Sequence, residues 1–142
     1  MVQAIAILLL GFGCSGWAQE ITFRVLDGRN GHPVKNATVD VWLGTAARGV
    51  PLQIKTNADG TAQLRMKADY KSFVTAGEWV GDCRGGNSPG KSYIDASVYR
   101  FADVVEHGTA TQNTCGKATA QPKPGEFILF VRPLHWWEKM RE

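Results

Sequence analysis

Residues 21–43 read ITFRVLDGRNGHPVKNATVDVWL, and this stretch decides the fold class. Ile21, Phe23 and Val25 alternate with Thr22, Arg24 and Leu26. A period of two sends successive side chains to opposite faces of an extended strand, so one apolar face is offered for burial. The run ends in Asp27-Gly28-Arg29-Asn30-Gly31, which contains the turn dipeptides Asp-Gly and Asn-Gly. Past Pro33, whose fixed φ suits a turn, the alternation resumes: Ala37, Val39, Val41 and Leu43 on one face, Thr38, Asp40 and Trp42 on the other. Two alternating runs around a turn predict antiparallel sheet with one face covered.

The same texture extends toward the C-terminus. Leu52, Ile54 and Thr56 alternate with Gln53 and Lys55, Asn57-Ala58-Asp59-Gly60 supplies a turn, and Ala62, Leu64 and Met66 return with Gln63 and Arg65 outward. We read this as a hairpin. Ser72 to Ala76 (SFVTA) predicts a further strand. Residues 81–90 have little to bury and read as a long loop tied down at Cys83. Tyr93 to Arg100 alternates weakly, Val104 to Cys115 is polar and rich in Thr and Gly, and Phe127 to Val131 (FILFV) is a continuous apolar run suited to the middle of a sandwich. No long helical period is present. About seven strands at this spacing predict an all-β antiparallel sandwich rather than a barrel.

The first eighteen residues are of another kind. Val2 to Phe12 is almost wholly apolar, and Gly16-Trp17-Ala18 places small side chains where a signal peptidase reads. A run of about a dozen residues is well short of the roughly 20 a membrane-spanning helix needs. The reading is a cleaved signal peptide over 1–18, a sandwich domain over 19–134 and a tail over 135–142, with Gln19 as the mature start and a periplasmic or secreted destination. Lipidation at Cys14 is the competing reading, disfavoured because Gly11-Phe12-Gly13 lacks the aliphatic residue expected three places upstream. Loss of the leader leaves Cys83 and Cys115, an even pair in an oxidising space, which predicts a disulfide. Two buried free thiols are the alternative; neither Cys has a second Cys or a His at ligand spacing. The formal charge is +3, and Lys and Arg are dispersed, so no nucleic-acid footprint is indicated.

With these residues in hand the chain resembles the carboxypeptidase regulatory-like domain, a prealbumin-like (transthyretin-like) seven-stranded sandwich related to the Cna protein B-type repeats. The resemblance rests on Asn30-Gly31-His32-Pro33-Val34-Lys35-Asn36-Ala37-Thr38-Val39 followed by Thr56-Asn57-Ala58-Asp59-Gly60, and covers about residues 21–66. These are fold-forming positions and imply no activity. The stretches around Asn113-Thr114-Cys115-Gly116-Lys117 and Phe130 to Met140 are also similar to the ends of small exported bacterial proteins carrying this domain. Some Cna-type relatives form an internal Lys–Asn isopeptide bond; the first strand here offers Arg24 and no Lys, and the last offers no Asn.

No catalytic constellation stands out. His32, His107 and His135 each fall in a turn, loop or terminal segment without a partner at motif spacing. Ser72, Ser88, Ser92 and Ser97 lack a nucleophile-elbow context. Glu78 and Asp82 near Trp79 are read as a solvated acidic pair rather than a glycosidase dyad. The hydroxyisourate hydrolases of the prealbumin fold end in a Tyr-Arg-Gly-Ser tetrapeptide absent here. Trp42 and Trp79 are the candidate ligand contacts, since exposed indoles stack on sugars. Trp136 and Trp137, with Leu134 and Met140, either cap one end of the sandwich or form an amphipathic tail. The expectation is therefore a non-catalytic exported accessory domain without cofactor, binding a protein or envelope component, with a carbohydrate-binding module as the alternative.

Overall fold

The computed structural model describes residues 19–66, 69–78, 80–84, 97–135, 137 and 140. The leader, Cys14, Trp79, Ser88, Ser92 and Trp136 lie outside the described residues, so the expectations placed on them do too. Among the described residues the chain is mostly strand: β1 (Glu20–Asp27), β2 (Thr38–Leu43), β3 (Leu52–Lys55), β4 (Thr61–Arg65), β5 (Ser72–Glu78), β6 (Val80–Asp82), β7 (Tyr99–Arg100), one short helix α1 (Phe101–His107), β8 (Thr109–Ala110) and β9 (Glu126–Pro133). One sheet has the order β4-β1-β9-β6, with β8 also on β9, and the other has the order β3-β2-β5-β7. Two sheets facing each other bear out the all-β sandwich. The described strands number nine rather than the seven expected, two of them only two residues long.

The alternation in β1 and β2 is buried as its period requires. Ile21, Phe23 and Val25 from β1, Val39 and Val41 from β2, and Phe127, Leu129 and Val131 from β9 meet in one core with Leu64, Phe73, Phe101 and Val104. Its centre is aromatic: the Phe127 ring lies 5.0 Å from Phe23, 5.2 Å from Phe73 and 4.7 Å from Tyr99 between centroids, the last two edge-on. Such contacts add to the area term because the positive edge of one ring meets the negative face of the next.

Three expectations are corrected. First, 52–66 is not a hairpin. β3 pairs with β2 in one sheet and β4 pairs with β1 in the other, so the Asn57–Gly60 turn carries the chain from sheet to sheet. Asn57 Oδ1 accepts from the amides of Asp59 and Thr61, and Gly60, at φ +71°, sits where a Cβ would come within 2.8 Å of Pro33 Cβ. Only glycine fits that backbone conformation against that neighbour. Second, the sandwich is not wholly antiparallel: β9 runs parallel to β1 and β8 runs parallel to β9. After β5 the chain visits β6, β7 and α1, so it reaches the gap beside β1 from the end that makes β9 co-directional. Third, the stretch read as polar and given no element begins inside a helix, α1, whose Phe101 and Val104, three apart, share the core-facing side.

Candidate functional site

β9 is apolar on both faces. Phe127, Leu129 and Val131 point into the inter-sheet core, while Ile128 and Phe130 point outward, where with Leu26 and Cys83 they form a second buried cluster. A sheet face of that character cannot be left in water, and residues 111–120 cross it as a strap, with Cys115, Ala118 and Ala120 against it beside Ala110 of β8. The strap brings mainly small side chains. Burying one methyl-sized group stabilises by about 0.8 kcal/mol, less than the roughly 1–2 kcal/mol lost in fixing one residue's backbone, so apolar contact alone does not hold it down.

Polar bonds and one covalent bond do. Thr111 bridges the interval between β8 and β6 along β9: its amide donates to Ile128 O at 2.9 Å, and its hydroxyl oxygen accepts from the Phe130 amide at 3.0 Å. Asn113 ties three backbone groups together, donating to Gly28 O at 2.7 Å and Ala118 O at 2.8 Å while accepting from the Cys115 amide at 3.1 Å. The amide and hydroxyl of Thr114 both donate to Cys83 O, each at 2.7 Å. Cys83 and Cys115 are joined as a disulfide across 32 residues of sequence. Closing a loop of that size stabilises a fold by about 3–4 kcal/mol in the chain-entropy account. The contact is close at the backbone as well: a Cβ on Gly116 would lie 2.6 Å from Gly28 O.

The β1–β2 turn beside the strap is fixed by charge. Asp27, buried at the end of β1, accepts from the amide and Nε of Arg29 on Oδ1, at 2.9 and 3.0 Å, and from Nη2 on Oδ2 at 2.7 Å. These hydrogen bonds hold its carboxyl below the ordinary value of 3.8, burial opposing them, with the Arg29 charge and then His32 adding to the lowering. Further along, Thr56, also buried, accepts from the Ala37 amide at 2.8 Å and donates to Val34 O at 2.7 Å.

The other candidates are dispersed. Trp42 is half-buried, and its indole N–H donates to Gly49 O at 3.1 Å, pinning the loop between β2 and β3. His32 belongs to the β1–β2 turn, its amide on Asn30 Oδ1 at 2.9 Å. His107 lies 3.7 Å from Glu106 at the end of α1, both exposed, and His135 stacks on Trp137, with centroids 5.2 Å apart and planes within 6°. Ser72 donates to Gly44 O, a bond within the framework. Trp137 and Met140 are exposed, so neither buries itself as an end cap would. Among the described residues no group of three or more His, Cys, Asp or Glu could hold a metal ion.

Sequence reading found the cysteine pair and missed the strap around it. One signal was present: a run apolar at both parities, as in Phe127 to Val131, requires a cover on each face, and the second cover had to come from a segment not otherwise assigned. Compared with known proteins, the chain matches no family model, no curated protein and no solved structure.

Proposed function

We propose that the chain is an exported, non-catalytic accessory module of the prealbumin-like type, working at the cell envelope through surface contact with a protein or another envelope component. The observation that carries this reading is the disulfide-fastened strap. A cross-link between Cys83 and Cys115 persists in an oxidising compartment and not in a reducing one, which agrees with a cleaved leader ending at Ala18.

The motif residues behind the resemblance also converge in space. Pro33 packs on Gly60, and Ala37 and Val34 are bound by Thr56. The polar residues best placed for chemistry by burial, Asp27, Thr56, Thr75 and Thr111, all bond within the framework. What the fold offers a partner includes the side where β3 and β4, each the last strand of its sheet, follow one another, with Val50 and Leu52 exposed beside them. An outer strand has a row of backbone donors and acceptors facing away from its sheet.

Co-sedimentation of the mature chain from Gln19 with isolated cell envelopes tests the reading. Retention that survives added soluble glycans and is lost after protease treatment of the envelopes is the expected result. Retention displaced by glycans, and weakened in Trp42→Ala or Trp79→Ala, would establish the carbohydrate-binding module instead. No retention would overturn surface contact at the envelope.

A further inference from the structure

We propose that the Cys83–Cys115 bond is a redox-sensitive latch: its reduction by a dithiol frees the strap and uncovers the outer apolar face of β1 and β9, while the inter-sheet core stays folded. Two separate buried clusters make this possible. The core between the sheets contains neither cysteine, whereas the outer cluster of Leu26, Ile128 and Phe130 has Cys83 as a member and Cys115 packed against it. Breaking the cross-link therefore acts directly on the outer cluster alone. Part of the attachment also meets the link itself, because both Thr114 bonds end on the carbonyl of Cys83, and the strap's apolar contribution is mainly alanine.

Access is one-sided. Cys83 is fully buried and Cys115 is only partly so, so a thiolate of the dithiol attacks Cys115 Sγ. The Cys83–Cys115 bond breaks with its electron pair going to Cys83, leaving a mixed disulfide on Cys115. The second thiol of the reductant, deprotonated, then attacks its own first sulfur and releases Cys115 as thiolate. Both protein thiolates take up a proton, and the dithiol leaves as a cyclic disulfide. The protein gains two electrons and two protons, and the reductant loses the same.

Amide hydrogen exchange on the mature protein, with and without dithiothreitol, tests the latch. The amides of Thr111, Thr114 and Phe130, bonded to Ile128 O, Cys83 O and Thr111 Oγ1, are expected to exchange about tenfold faster or more on reduction, while those of Val25 and Thr56, bonded to Gly60 O and Ala37 O, keep their protection. Reoxidation restores the first set. A Cys83→Ala/Cys115→Ala chain, free of any cross-link, should show the reduced pattern without reductant. Unchanged exchange at Thr111, Thr114 and Phe130 on reduction would overturn the proposal, because the strap would then stay seated without its link. Simultaneous loss of protection at Val25 and Thr56 would overturn it equally, because the bond would then hold the whole sandwich.

Discussion

Individual polar side chains carry much of the framework's definition, and each has a separable consequence. Thr56 satisfies a buried amide at Ala37 and bonds the carbonyl of Val34. Thr56→Val keeps the shape and removes the oxygen, so the Ala37 amide is left buried without its partner, at a cost of about 1–3 kcal/mol. Urea denaturation should show this as a lower midpoint with an unchanged slope. Asp27 makes stability depend on pH with a definite sign. Its carboxyl is lowered in the folded chain, chiefly by the hydrogen bonds to Arg29, so the unfolded state binds a proton more readily as acid is added. The contribution is complete above the ordinary carboxylate value of 3.8 and is lost as pH falls through the lower folded value. Melting temperatures followed from pH 7 down to pH 2 should therefore fall at the acid end, and Asp27→Asn should flatten that part of the curve while lowering the plateau. The sequence marked Asp27 only as a turn residue. Its burial follows from where the end of β1 meets the turn, and no local pattern states that.

At the scale of elements, β9 is the strand on which both clusters depend. Phe127 touches Phe23, Phe73 and Tyr99 in the inter-sheet core, and Phe130 lies on the other face under the strap. Phe127→Ala should cost about 3–5 kcal/mol, a large fraction of the roughly 5–15 kcal/mol that a domain possesses, and calorimetry should register it as a melting point lower by many degrees. β1, β2 and β9 were legible because their patterns are local: alternation in the first two, a two-faced apolar run in the third. The connection at Asn57–Gly60 was misread because the turn chemistry that closes a hairpin also serves a crossing between sheets. Asn57 and Gly60 fix the bend, and only the partners of β3 and β4, set by packing far along the chain, decide which sheet each strand joins. Helix α1 was hidden by its seven-residue length, too short for its one buried pair, Phe101 and Val104, to display a period.

For the whole molecule, two facing sheets and an outer strap give a sandwich with one disulfide, which fastens the strap beside the end of β6. Arg84, next to Cys83, adds a polar link in the same region, its Nη2 donating to Thr75 O at 2.7 Å and so connecting the end of β6 to β5 in the opposite sheet. The cysteine pairing was readable because the expected loss of a leader would leave an even pair, whereas the purpose of the pairing was not, since residues 111–120 lack both an apolar run and a period. That β3 and β4 are edge strands was not legible, because an edge acquires its outward-facing backbone from topology rather than from any motif.

The measurement that tests the account most directly is non-reducing peptide mapping of the protein recovered from the compartment to which the cell delivers it. The account predicts a mature N-terminus at Gln19 and one cross-linked peptide pair containing Cys83 and Cys115, collapsing to two separate peptides on reduction. A chain retaining residues 1–18, or one in which both cysteines alkylate without reduction, would contradict it.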